Sequence, residues 1–194
     1  DPLIWITQSD GPLKGKNLKE IIQMAKDKPS TIRVAIVPGS MWEYLVEQIE
    51  AAHGAKFLRV PFQGGGPGVN AMLGGNVDIA QAFYAEFRGQ LEAGKVTPVA
   101  VATGERVPHI KDVPTFNETL GSSELVWNVI RFAAVPKGVP ADRKAYLSAM
   151  VRAAMKDPEL VSEYRKAGVF FDPKLMNSNR IADDLNQYAE RELV

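Results

Sequence analysis

Ile32-Arg33-Val34-Ala35-Ile36-Val37-Pro38-Gly39-Ser40-Met41-Trp42-Glu43 is the stretch whose reading decides the fold. Residues 32–37 are apolar and mostly β-branched with one charge, Arg33, the pattern of a buried strand. Pro38-Gly39 turns the chain. Ser40 with Glu43 three places on reads as a capping box, each side chain satisfying an orphan backbone N–H at the start of a helix. Trp42, Leu45, Ile49 and Ala52 then recur on one helical face, and Gly54 ends the helix as a left-handed cap. A buried strand that passes through a tight turn into an amphipathic helix is half of a β-α-β unit.

The same alternation runs outward in both directions. Residues 3–7 read as a strand, and Leu18, Ile21, Ile22 and Ala25 mark a helix that Pro29 closes. Residues 57–62 form the next strand, followed by Gln63-Gly64-Gly65-Gly66-Pro67. Pro67 suits a first helical position, and Val69, Met72 and Leu73 give a short helix ended by Gly74-Gly75. Residues 78–83 are a fourth strand, Tyr84, Phe87 and Leu91 one side of a helix, and residues 98–102 a fifth strand. Residues 105–123 lack a steady period and read as a long surface connection. Residues 126–135 read as extended, with Arg131 inside an apolar strand where a charge needs a partner. Beyond Pro140 the chain is helical. Leu147, Met150, Val151 and Ala154 form one stripe; Asp157-Pro158 opens a helix that Gly168 stops. A strand at 169–171 and a last helix from about Ser178, with Ile181, Leu185 and Tyr188 inward, complete the reading. Strand–helix–strand alternation implies a parallel α/β sheet covered on both faces.

Composition narrows the function classes. The 194 residues hold 45% hydrophobic and 24% charged residues, enough for a sizeable core. Lys plus Arg (23) equal Asp plus Glu (23), so no basic field draws nucleic acid or a membrane surface. The absence of cysteine excludes disulfides, cysteine nucleophiles and thiolate metal sites. No apolar run approaches the ~20 residues of a membrane span, so direct membrane insertion is not expected. The chain opens Asp1-Pro2 with no signal peptide and runs straight into a strand, which reads as a chain cut into.

Ligands of open α/β sheets lie at the carboxyl ends of the strands. Three such ends are candidates. At Gly39-Ser40-Met41 a glycine and a capping serine present backbone N–H groups and a positive helix end, suited to a carboxylate or phosphate. A plain helix cap explains the same residues. Gln63-Gly64-Gly65 allows close backbone approach and a row of donors; a tight turn explains it equally. Neither matches a dinucleotide or P-loop pattern. Phe83-Tyr84 at the next strand end either wall a pocket or belong to the core. No catalytic constellation is legible. His53 stands beside the helix-ending Gly54, His109 reads as solvated, and Asp78, opening a strand, reads as the cap of a neighbouring loop. No metal site or cofactor is expected.

Several stretches carry a resemblance. They are Leu18-Lys19-Glu20-Ile21-Ile22, the Gly39-Ser40 turn with Glu47 and Gly54, Val60-Pro61-Phe62-Gln63-Gly64-Gly65, and Leu73-Gly74-Gly75-Asn76-Val77-Asp78. Ala93-Gly94-Lys95-Val96, Asp112-Val113-Pro114-Thr115 and Pro136-Lys137-Gly138-Val139-Pro140 continue the series. In this order they resemble the substrate-binding proteins of tripartite tricarboxylate transporters, the TctC or Bug family. The resemblance implies a periplasmic binding protein-like (type II) two-lobed fold with the parallel-sheet lobe complete and the other lobe partial. Residues 10–122 would be the central ligand-binding lobe; residues 1–9 and 123–194 would be hinge strands plus the C-terminal portion of the first lobe. It implies a periplasmic solute-binding protein, not an enzyme, that captures a small carboxylate for the membrane components of a tripartite transporter, or for a sensor. Gly39, Ser40, Met41, Gln63, Gly64 and Gly65 would be the ligand contacts, with Phe83 and Tyr84 beside them. The N-terminal part of such proteins is expected to be missing here. Glu43 stands where many members carry a His, and Ile130-Arg131-Phe132 where many read Trp-Arg-Gly. The alternative class is a small α/β enzyme that uses the Gly-rich loops as an anion hole.

Overall fold

The computed structural model describes residues 1–129 and 131–169. They belong to two compact units, Asp1–Val129 and Ile130–Val194. In the first, strands β1 (Ile4–Gln8), β2 (Arg33–Ile36), β3 (Leu58–Pro61), β4 (Ile79–Ala82) and β5 (Val96–Val101) alternate with helices. The helices are α1 (Leu18–Asp27), α2 (Met41–His53), α3 (Gly65–Leu73), α4 (Tyr84–Glu92) and α5 (Phe116–Leu120). The five strands make one sheet in the order β3-β2-β4-β1-β5.

The sheet is mixed, which corrects the all-parallel expectation. β2 runs parallel to β3 and β4, whereas β1 runs antiparallel to both β4 and β5. A helix-length connector lets the chain re-enter a sheet in either direction, so alternation alone does not fix polarity. Residues 4–8 lie inside the sheet, between β4 and β5.

Side chains of β1 alternate between two cores, as a period of two requires. Leu3 and Trp5 pack with Leu18, Ile21, Leu45, Ile49 and Phe116 under α1, α2 and α5. Ile4 and Ile6 pack with Val69, Met72 and Phe87 under α3 and α4. Trp5 is fully buried and meets Phe57 and Phe116 edge-on, at centroid distances of 5.6 and 5.2 Å. The α1 stripe is buried as read, and Asn17 with Glu20 closes a capping box at its start. The α2 stripe is rotated from its reading. Leu45, Val46, Ile49 and Glu50 are the buried residues, while Ala52 is exposed.

Residues 105–123 are more than a surface connection. They hold a 3-10 turn (Pro108–Ile110) and α5, whose Thr115–Glu118 capping box fixes a fully buried Phe116. Short apolar anchors separated by polar residues carry no periodicity, so this segment reads as irregular.

In the second unit, α6 (Ala141–Ala154) and α7 (Pro158–Ala167) match the two helices expected there. Asp157 caps α7 by accepting the Glu159 and Leu160 N–H groups, and Gly168 ends it at φ 74°. Leu147, Met150 and Val151 of the α6 stripe are exposed. Arg131 is exposed too, and the described residues that follow it form no strand, so the buried-charge expectation does not hold. The strand read at 169–171 leaves the described residues after Val169, and the helix read from Ser178 lies outside them.

Candidate functional site

β2, β3 and β4 point the same way, so the turns that follow them emerge at one end of the sheet. β2 lies between the other two. Its chain departs into α2 on one face, whereas β3 and β4 depart into α3 and α4 on the other. Connections that leave adjacent strand ends toward opposite faces open a crevice at the carboxyl end of the strand between them. Gly39, Ser40 and Met41, then Gln63, Gly64 and Gly65, then Phe83 and Tyr84, are thereby brought to one end of the sheet.

At the first corner Gly39 adopts φ +65°, and a Cβ built on it would meet nothing within 4 Å. Glycine is needed there for backbone conformation, not for space. Ser40 is the helix cap, but the capping box is not the one expected. Its Oγ accepts the Trp42 N–H at 3.3 Å and donates to the Val37 carbonyl at 2.5 Å. Glu43 reaches past Ser40 and accepts the Gly39 N–H at 2.8 Å. The backbone N–H groups of Ser40 and Met41 have no protein partner among the described residues. They stand at the positive end of a 13-residue helix.

Arg59 of β3 binds this helix from the side. Its guanidinium lies 3.5 Å from Glu43, 2.6 Å from Glu47 and 2.5 Å from Glu50. Partial burial pulls the Arg59 pKa down, but the hydrogen bonds it donates to Glu50 and Glu47 outweigh it and hold the value above the ordinary one. Glu50 itself is buried and also accepts the Phe57 N–H at 2.8 Å.

At the second corner α3 begins with Gly65, so Pro67 is its third residue and not its first. Proline is still tolerated in that first turn, where its missing N–H would have no helical acceptor. Gln63 is exposed and Gly65 buried. A Cβ on Gly65 would collide with the Glu86 carboxylate, which also accepts the Phe83 N–H at 2.7 Å. This glycine makes room for an acid.

Phe83 and Tyr84 do not form one wall. Phe83 packs edge-on against Trp42 at 5.2 Å, beside the first corner. Tyr84 turns to the opposite face, 5.8 Å from both Phe87 and His109, the latter stacked at 19°. His109, read as solvated, is exposed yet lies on this ring. Asp78, read as the cap of a neighbouring loop, instead holds the start of β2, accepting the Arg33 N–H at 2.8 Å and pairing with the Arg33 guanidinium at 2.6 Å. That hydrogen bond raises the Arg33 pKa.

Two residues of this end escaped the sequence reading. Gln81 is buried at 1% exposure. Its oxygen accepts the Trp5 indole N–H at 2.9 Å, and its amide donates to the Ala35 and Trp42 carbonyls at 2.9 and 2.8 Å. A lone amide within Ile79-Ala80-Gln81-Ala82 was the available signal, because a buried polar group demands partners. Glu86, third in α4, is the other; its place in that first turn was the cue. A groove of about 500 Å³ lined by Lys19, Lys26 and His53 lies away from the corners, at the far end of α2 from Ser40. Among the described residues no group of His, Asp and Glu gathers to hold a metal ion.

Residues 1–193 match the tripartite tricarboxylate transporter family receptor, TctC. The chain is 25% identical over 193 residues to the protein BugT of Bordetella pertussis, covering 97% of this chain and 58% of that one. Among solved structures it resembles MatC from Rhodopseudomonas palustris with bound malate, at 22% identity and a TM-score of 0.77 over 98% of this chain and 64% of that one. It also resembles an R. palustris protein with adipate, at 19% identity and a TM-score of 0.70 over 97% and 63% of the respective chains. The chain spans about half of the length of the curated relatives it matches, from 48% to 58%. With the match running from the first residue to the last but one, the chain belongs to the TctC family of tripartite tricarboxylate transporter receptors.

Proposed function

We propose that the protein is a periplasmic solute-binding protein that captures a small organic acid and presents it to the membrane components of a tripartite transporter. The observation that carries this reading is the gathering of the β2, β3 and β4 corners at one end of the sheet in a chain of this receptor family, with the unpartnered Ser40 and Met41 N–H groups at a helix start. Such donors hold a carboxylate without a reactive side chain. Ser40 is engaged with the Val37 carbonyl and the Trp42 N–H, which suits a binding corner better than a nucleophile. Malate and adipate in the related structures set the size class of ligand to try first. Gly39, Ser40, Met41, Gln63, Gly64 and Gly65 are the proposed contacts, with Phe83 and not Tyr84 flanking them. Residues 10–122 are the proposed ligand-binding lobe, and residues 1–9 and 123–194 the proposed hinge strands plus the C-terminal portion of the first lobe. No described helix is long and apolar enough to cross a membrane.

Thermal unfolding of the full-length protein, with and without mono-, di- and tricarboxylates, tests this. A ligand at 100 times its Kd adds about 2.7 kcal/mol of stability, a rise in Tm of several degrees. A melting temperature that no acid in the panel moves would overturn the proposal.

A further inference from the structure

β5 points the same way as β4, since both run antiparallel to β1, so Ala102 after β5 lies at the end of the sheet where the corners gather. Residues 127–129 run beside it. The Trp127 N–H donates to the Ala102 carbonyl at 2.9 Å, and the Trp127 carbonyl accepts the Leu3 N–H at 3.0 Å. Val129 and Asp1 exchange two hydrogen bonds, each of 2.9 Å. The Trp127 side chain, partly buried against the core, crosses to α2. Its indole stacks on the Tyr44 ring at 6.2 Å and 27°, and its ring N–H donates to the Gln48 amide oxygen at 2.9 Å. Tyr44 and Gln48 stand about one and two turns beyond Ser40, and the Tyr44 N–H donates to the Ser40 carbonyl at 3.0 Å.

Other supports of α2 come from the sheet itself. Arg59 of β3 pairs with Glu43, Glu47 and Glu50, and Gln81 of β4 donates to the Trp42 carbonyl at 2.8 Å. Trp127 belongs instead to the chain that leaves this unit at Val129. Building on the carboxylate-binding reading above, we propose that Trp127 is a positioning residue of the Ser40–Met41 corner. It fixes the first two turns of α2 against residues 127–129. A displacement of that segment then moves the Ser40 and Met41 N–H groups, and a ligand held by them is registered at the indole. A hydrogen-bonded helix transmits such a displacement because its turns move together. Coupling of this kind is reciprocal in binding free energy. The backbone bonds of Trp127 do not need its side chain, so a substitution cuts the link to α2 and leaves the segment on the sheet.

Hydrogen exchange of the full-length protein without ligand tests the positioning. Trp127→Ala is expected to speed exchange of the amides of residues 44–48 about tenfold, while those of residues 21–25 in α1 stay within about twofold. Trp127→Phe, which keeps a ring on Tyr44, should fall between wild type and Trp127→Ala. Gln48→Leu removes the hydrogen bond from the exposed side of α2 and should act in the same sense, which keeps the test decisive if Trp127→Ala fails to fold. An even rise across both helices, or no rise at all, overturns the proposal. Titration with malate, adipate and the other acids of the thermal panel, followed by tryptophan emission and calorimetry, tests the coupling. For an acid that binds, the wild-type emission should change and Trp127→Phe should abolish the change. Trp127→Ala should weaken affinity by about five- to tenfold. Emission that changes equally in Trp127→Phe, or affinity that Trp127→Ala leaves intact, overturns the coupling and leaves the carboxylate reading standing. Failure of every acid to bind overturns that reading, and the coupling with it.

Discussion

Gln81 ties four elements together through one amide. It reaches β1 through the Trp5 indole, β2 through the Ala35 carbonyl and α2 through the Trp42 carbonyl, all from its own place on β4. The bonded groups are buried or nearly so; removing the amide leaves the Trp5 indole N–H without its partner and takes one hydrogen bond from each of the Ala35 and Trp42 carbonyls. An unsatisfied buried polar group costs about 1–3 kcal/mol, so Gln81→Leu is expected to lower the unfolding free energy by about 2–4 kcal/mol. Urea denaturation with an unchanged m-value checks it; a loss under about 1 kcal/mol would show that the surrounding groups find other partners. Ser40 invites a smaller effect of another kind. Its hydroxyl caps α2 through the Trp42 N–H, so Ser40→Ala should cost about 1 kcal/mol of stability. Ligand affinity should weaken only modestly, because the Ser40 and Met41 N–H groups belong to the backbone. An affinity loss of a hundredfold or more would mean that the hydroxyl itself touches the ligand.

Helices and strands were legible wherever hydrophobic periodicity was strong. The four buried residues of α1, the left-handed Gly54 and the Asp157 cap could all be read from residue type and spacing. Strand direction could not be read, because the apolar run of β1 is compatible with either polarity. α5 was missed because five residues anchored by Phe116 are too short to show a period. At the candidate site the glycines, Ser40 and Glu43 were legible as a corner and its cap, but Glu86 was not, since a glutamate in a first turn looks like an ordinary cap wherever its carboxylate ends. Gly65 gives that distinction a measurable consequence. Gly65→Ala pushes aside the Glu86 carboxylate and frees the Phe83 N–H, an expected cost of about 1 kcal/mol that Gly65→Ala combined with Glu86→Ala should not increase beyond Glu86→Ala alone. Additive losses in that cycle would place the strain elsewhere. The cap of α5 is tested by acid. The Thr115 N–H, and secondarily Arg106, hold the Glu118 pKa below its ordinary value of 4.5. A depressed carboxylate contributes stability that is complete above the ordinary value and is lost as pH falls through the folded one. Glu118→Gln should therefore flatten the acid limb of a stability profile below about pH 4.5 and leave its slope at neutral pH unaltered.

Among the described residues the distribution of buried apolar side chains is uneven. Both core clusters, with the aromatic rings that pack on them, draw their members from Asp1–Val129. In the second unit α6 and α7 have no buried residue, and Tyr146, Leu147, Met150 and Val151 of α6 are exposed. Hydrophobic burial is the dominant favourable term in folding, so the free energy of opening should differ sharply between the two units. Residues 131–136, which precede α6, are exposed and form neither strand nor helix. A protease needs an extended segment of about this length that can leave the fold at little cost. Limited proteolysis of the 194-residue chain should therefore cut first in the neighbourhood of residues 131–140 and leave a fragment that ends near Val129. That fragment should retain the near-ultraviolet signal of the buried Trp5 and unfold cooperatively. Mass spectrometry locates the cut and circular dichroism follows the melt. First cleavage inside 1–129, or a fragment with no cooperative transition, would show that the five-stranded sheet depends on the second unit for its stability.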